Sequence, residues 1–193
     1  MTETLVKVAA VQMVSSHEPE RNMAVAGELI AEAVQKGARL VGLPEYFCLM
    51  GMSDTDKVAI READGHGPIQ DFLSRTAARH GIWLIGGTMP LESAYAGRVR
   101  NASLVYDDQG RRAARYDKIH LFGFQNGAER YDESATIEAG QIPVSVETPF
   151  GKVGLSVCYD LRFPELYRAF SPVDMIFVPS AFTATTGQIG RAH

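Results

Sequence analysis

Apolar and polar positions fall in blocks along the chain, and the period inside each block tells strand from helix. Leu5 to Met13, "LVKVAAVQM", is valine-rich and mostly apolar, the pattern of a strand covered on both faces. The polar segment "SSHEPER" interrupts it. From Met23 to Val34 the apolar positions Met23, Ala26, Leu29, Ile30, Ala33 and Val34 follow helical spacing, and Gly37 stands where a helix C′ residue belongs. "ARLVGLPE" reads as a second strand ending in a turn at Pro44. Pro68 suits the first turn of another helix, with Ile69, Phe72, Leu73, Thr76 and Ala77 as its inner stripe and Gly81 as its stop. "IWLIGGTMP" reads as the next strand. "NASLVYDDQG" and "RRAARYDKIHL" read as neighbouring strands joined by a turn at Asp107 to Gly110. "VSVETPFGKVGLSVCYD" holds two short strands around a turn at Pro149 to Gly151, "FPELYR" starts a helix at Pro164 with Leu166 and Phe170 inward, and "DMIFVPS" is a final strand.

Strand, helix, strand, helix and then a mixed set of strands make an α/β layered domain. Neither an internal repeat nor an interdomain linker divides it, so residues 1–193 read as a single domain. Phe122 to Gly140 has no clean period and is long for a connection, which points to a functional segment. The chain stops after "FTATTGQIGRAH", with nothing following to cover the "DMIFVPS" strand, and the expectation is a domain incomplete at its C-terminus.

Composition narrows the function. The 193 residues are 46% hydrophobic and 22% charged, with a formal net charge of −4, so nothing favours nucleic acid or an anionic membrane as partner. The histidines and the two cysteines, Cys48 and Cys158, lack zinc-ligand spacing, and no metal or cofactor is expected. With neither a secretory leader nor an apolar run near the ~20 residues of a membrane span, the expectation is a cytoplasmic protein with reduced thiols rather than a Cys48–Cys158 disulfide.

Three stretches share one form, an apolar strand ending in a reactive side chain. "LVGLPEYF" delivers Glu45, "ARYDKIHLF" delivers Lys118 and "VGLSVCYD" delivers Cys158. In open α/β sheets such groups gather at the carboxyl ends of strands. Carboxylate, ammonium and thiol are together sufficient for amide or nitrile cleavage. The thiolate attacks carbon, the carboxylate serves as general base, and the ammonium favours the thiolate and stabilises an oxyanion. Each residue also has a plainer reading: Cys158 as a small buried hydrophobe, Glu45 as a solvated loop acid, Lys118 as a surface charge paired with Asp117. Cys48 reads as packing. His120 is either a general base or a support for its strand end through a hydrogen bond.

The stretches "GLPEYF", "RYDKIHLF", "YDES" and above all "GLSVCYDLRFPELYR" resemble the nitrilase superfamily of carbon–nitrogen hydrolases, and within it the amidases of the Nit branch. The resemblance runs from "VAAVQM" to "VPSAFTATTG" and implies a four-layer α-β-β-α sandwich. It implies a catalytic Glu–Lys–Cys triad of Glu45, Lys118 and Cys158. It also implies a supporting glutamate that orients the lysine, for which Glu133 is the first choice and Glu129 the second. The backbone N–H of Tyr159 is a candidate second oxyanion donor. Arg162 either binds a substrate carboxylate or pairs with Glu165 or Asp160. The implied substrate is a small acid-bearing amide such as deaminated glutathione or an ω-amide, cleaved through a thioester without a cofactor. The implied assembly is a homodimer or higher homo-oligomer. Nitrile hydrolysis and N-carbamoyl hydrolysis by the same triad, a catalytically silent fragment, and a redox-sensing thiol are the rival readings.

Overall fold

The computed structural model describes residues 5–126 and 129–182. Its larger sheet begins with β1 (Val8–Ala10), β2 (Leu40–Gly42) and β3 (Trp83–Ile85), paired in parallel in that order. β5 (Val99–Tyr106) runs antiparallel to β3 and to β4 (Met89–Glu92), which lie end to end along one of its edges, and β6 (Arg112–Asp117) pairs with its other edge. A smaller sheet has β10 (Gly151–Leu155) at its centre, antiparallel to β9 (Val144–Thr148) and parallel to β11 (Met175–Phe177). β7 (Gly123–Asn126) and β8 (Glu129–Asp132) form a separate hairpin.

The period of two along each strand divides the core into layers. Val41, Leu84, Ala102, Leu104 and Tyr106 face one way and pack with Ala26 and Ile30 of α1 (Pro19–Gln35) and with Ile69, Leu73 and Ala77 of α3 (Pro68–His80). Leu40, Ile85 and Val105 face the other way, towards Val146, Val153 and Leu155 of the smaller sheet. The sheets meet closely: a Cβ on Gly42 would lie 1.7 Å from the Phe177 ring. On the far side of the smaller sheet, Gly154 leaves room for Phe170 of α4 (Pro164–Phe170), where a Cβ would lie 2.3 Å from the ring. Helices, sheet, sheet and helix thus form the four layers.

The helix signals hold. Gly37 follows α1 with φ +89°, and Gly81 caps α3 with φ +60°. α1 begins at Pro19, earlier than its apolar stripe, because proline fits the first turn. Three expectations change. Only Val8–Ala10 of the first segment pairs as a strand, and Val8 is 51% exposed rather than covered. β1 is an edge strand; Ala9 packs on the helix side while the other face borders an open groove of about 1200 Å³ that reaches β11. "IWLIGGTMP" is two strands, not one, broken where Gly86 turns its N–H to Leu104 O (2.8 Å) and Gly87 takes φ +56°. Finally, Phe122 to Gly140 holds the β7–β8 hairpin and a single 3-10 turn at Glu133–Ala135, elements too short to show a period. A fourth element, the one-turn α2 (Asp56–Ala59), had no visible period either.

Candidate active site

The chain leaves β2 through Leu43 and Pro44 and turns sharply to present Glu45. The turn is shaped by a close approach. A Cβ on Gly87 would lie 2.0 Å from the Pro44 carbonyl oxygen, so only glycine lets the two backbones meet. Tyr46 takes φ +54°, and its N–H donates to Thr88 Oγ1 (2.9 Å). Glu45 is 3% exposed. Its Oε1 accepts from Lys118 Nζ (2.9 Å) and Asn101 Nδ2 (3.0 Å), and its Oε2 accepts from the Ala181 N–H (3.1 Å).

Lys118 follows the last residue of β6, its backbone held by Asn101 O (3.0 Å) and the Gly140 N–H (2.8 Å). Its side chain is 1% exposed and lies between two carboxylates, with Nζ 3.0 Å from Glu133 Oε1 as well as 2.9 Å from Glu45. Glu133 is fixed in turn by the Phe122 N–H (2.7 Å) and the Tyr46 hydroxyl (2.9 Å). Burial alone would push the Lys118 ammonium down. The two carboxylates outweigh it and hold the group above the ordinary lysine value. For Glu45 burial wins over the attraction of Lys118, aided by repulsion from Glu133, and its carboxyl is raised.

Cys158 ends the run from β10 with φ +47°. Tyr46 and Cys158 are the two non-glycine residues with positive φ among the described residues, one beside Glu45 and the other the thiol itself. The cysteine turn is held on both sides. The Cys158 N–H donates to Pro179 O (3.0 Å), and the Val157 N–H donates to Asp160 Oδ2 (2.8 Å). Asp160 is fully buried and also accepts from the Tyr116 hydroxyl (2.7 Å) and the His120 N–H (2.9 Å), with His120 Nδ1 2.7 Å away. One carboxylate therefore ties the Cys158 turn to residues on either side of Lys118. Burial pushes the Cys158 thiol up to about 12, with the Glu45 charge adding to the rise and Lys118 opposing it. The ammonium thus favours the thiolate, as the sequence suggested, but burial and the Glu45 charge outweigh it. The thiol lies against the Glu45 carboxylate.

A family model described as carbon–nitrogen hydrolase matches residues 7–188. The chain belongs to the carbon–nitrogen hydrolase family. It is 42% identical over 186 residues to a deaminated glutathione amidase of Synechocystis, covering 93% of this chain and 68% of that protein. It is 36% identical over 184 residues to the omega-amidase NIT2 of Xenopus tropicalis, covering 94% of this chain and 65% of that protein. The crystal structure of Saccharomyces cerevisiae Nit3, a member of branch 10 of the nitrilase superfamily, superposes with a TM-score of 0.81 at 30% identity, covering 95% of this chain and 67% of that one. The chain spans about two thirds of the length of these relatives.

The Tyr159 N–H meets no protein acceptor among the described residues, which leaves it free to donate. Arg162 is exposed and makes no ion pair there. Asp160 is taken up by Tyr116, His120 and Val157, and Glu165 pairs with Arg168 (3.2 Å), which removes the structural pairing foreseen for Arg162. His120 reaches Asp160 and stacks on the Phe163 ring at 3.6 Å, supporting its strand end. Lys118 does not pair with Asp117, which binds Arg115 (2.9 Å). Cys48 and Cys158 are both free thiols. The Glu129 side chain and the Thr-Thr-Gly segment lie outside the described residues. Among the described residues no group of three or more His, Cys, Asp or Glu is placed to hold a metal ion, and no helix is long and apolar enough to cross a membrane. Sequence reading overlooked Asn101, Ala181, the Tyr46 hydroxyl and the anchoring role of Asp160. Asp160 lay inside the cysteine motif and was open to view. Asn101 and Ala181 carried no signal, because each acts through where its strand or loop crosses.

Proposed function

We propose that the chain hydrolyses the carbon–nitrogen bond of a small, linear, acid-bearing amide through a Cys158 thioester, with Glu45 as base and Lys118 as oxyanion partner. The observation that carries this is the buried Lys118 ammonium between two carboxylates, with the Cys158 thiol held against one of them. The thiol's raised pKa fits attack coupled to proton loss: as sulfur bonds to the amide carbon, Glu45 takes the S–H proton. Negative charge moves to the carbonyl oxygen, where Lys118 and the Tyr159 N–H stabilise it. Glu45 returns the proton to nitrogen, the C–N bond breaks, and ammonia or an amine leaves. Water then gives a proton to Glu45 and attacks the thioester. The C–S bond breaks, the carboxylic acid departs, and Cys158 recovers its proton.

The names of the two curated relatives support the choice of an amide bearing an acid. The test is ammonia or amine release from a panel of amides, nitriles and N-carbamoyl amino acids, with the acyl-enzyme sought by mass spectrometry. Turnover confined to nitriles or carbamoyl compounds would overturn the amidase assignment. The pH profile supplies a second check. Glu45 must be ionised to accept the thiol proton, so kcat/KM falls as pH drops through its pKa. Because burial raises that pKa, the acid limb lies above the ordinary glutamate range. A limb at or below that range would remove Glu45 from the role of base.

A further inference from the structure

Lys57 stands on α2, and its Nζ lies 5.8 Å from the centroid of the Tyr46 ring. The hydroxyl of that same ring donates to Glu133, which holds Lys118. The Lys57 ammonium is therefore one aromatic ring away from the buried charges of the site. It is half-buried, so it has given up part of its hydration, yet no carboxylate lies within ion-pair distance of it among the described residues. Asp54, Glu133 and Glu45 act on it only through space, and burial outweighs them and holds the ammonium below the ordinary lysine value. Lys118, by contrast, touches two carboxylates.

Charge counting makes the unpaired ammonium informative. Glu45 and Glu133 with Lys118 leave the buried cluster one negative charge in excess. That excess repels an anionic substrate, and in a partly dry site the repulsion is weakly screened. A partly desolvated cation with no ion-pair partner among the described residues offsets it and can accept a carboxylate. A cation over an aromatic face is also held in position without having its hydrogen-bond donors consumed. Arg162 also makes no ion pair among the described residues, but it is exposed, so its field reaches a substrate through water.

We propose that Lys57 is the subsite for the substrate's distal carboxylate, so that this enzyme selects amides that carry an acid group away from the scissile bond. This rests on the amidase reading above and names the group its substrate is recognised by. The test compares the monoamide of succinic acid with butyramide, which has a methyl group in place of the acid, in wild type, Lys57→Met, Lys57→Arg and Arg162→Ala. Succinate binding to the same proteins is measured in parallel by calorimetry. Loss of a charged hydrogen bond predicts that Lys57→Met raises KM for the acid amide by roughly 10- to 100-fold. The change for butyramide is at least ten times smaller, and Lys57→Arg recovers most of the discrimination. Succinate binding weakens in step. Equal losses on both amides would make Lys57 an electrostatic support for the triad and overturn the subsite. So would loss of discrimination in Arg162→Ala with none in Lys57→Met. If wild type turns over neither amide but binds succinate through Lys57, the amidase reading fails while the subsite stands. If it turns over both and succinate binding ignores Lys57, the subsite fails alone.

Discussion

Cys48 and Cys158 carry thiols raised to the same range, about 12, by the same first cause, burial. Their surroundings differ completely. Cys48 is fully enclosed in the core between the larger sheet and its helices, its sulfur facing the Thr88 carbonyl at 3.9 Å. Cys158 is partly accessible, turned out of a left-handed bend, and set against Glu45. An elevated pKa therefore does not separate the two thiols in this fold. What differs is the carboxylate beside the Cys158 sulfur and the partial exposure of Cys158. In the proposed reaction the same burial makes Cys158 dependent on Glu45 and Lys118, so that the thiol loses its proton only as the sulfur bonds to carbon.

The sharpest way to break this comparison is to remove each sulfur in turn. Cys158→Ala should bring turnover to background. Cys48→Ala should leave turnover in place and cost ~1 kcal/mol in a denaturant titration. If iodoacetamide modifies both cysteines at similar rates, followed by intact-mass and peptide mapping, the distinction between them is lost. Next in size is Lys118→Met, which strands Glu45 and Glu133 as buried carboxylates with no counter-charge. Chemical denaturation should show a loss of about 3–5 kcal/mol. A loss under 1 kcal/mol would mean that water reaches the cluster. The smallest effect is the most specific. Asp160→Asn turns an amide N–H₂ towards groups that all donate, which loosens the Cys158 turn relative to Lys118. Expected is a fall in kcat of about 10²-fold with KM little changed and slower alkylation of Cys158. A variant that melts like wild type and keeps its kcat would show that the bend holds itself.

Much of the layered fold was legible because it rests on local signals. Gly37 and Gly81 stop their helices for a reason carried within one turn of chain, and Pro19 and Pro68 start them for another. The strand ends that present Glu45, Lys118 and Cys158 were equally visible, since an apolar run that stops at a reactive polar residue is a local pattern. What escaped was set by crossings. Val8 is valine-rich strand material that lies at a sheet edge, and nothing within its own segment says so. At the break, the Pro44 carbonyl occupies the space a side chain on Gly87 would fill, and the Leu73 side chain the space beside Gly86. Asn101, an ordinary residue within β5, meets Glu45 only because β5 carries it there. The supporting glutamate came from family likeness alone, and its anchors, the Phe122 N–H and the Tyr46 hydroxyl, come from two other loops.

The Ala181 N–H gives Glu45 a third hydrogen bond, beside those from Lys118 and Asn101, and also turns towards the Cys158 sulfur. Because the donor is the peptide itself, this contribution has no side chain to delete. Mutational scanning would pass over the position, scoring it as permissive for small residues and intolerant only of proline, which has no N–H to give. An engineer reshaping this pocket could therefore vary the residue for size, provided the loop that carries it keeps its path.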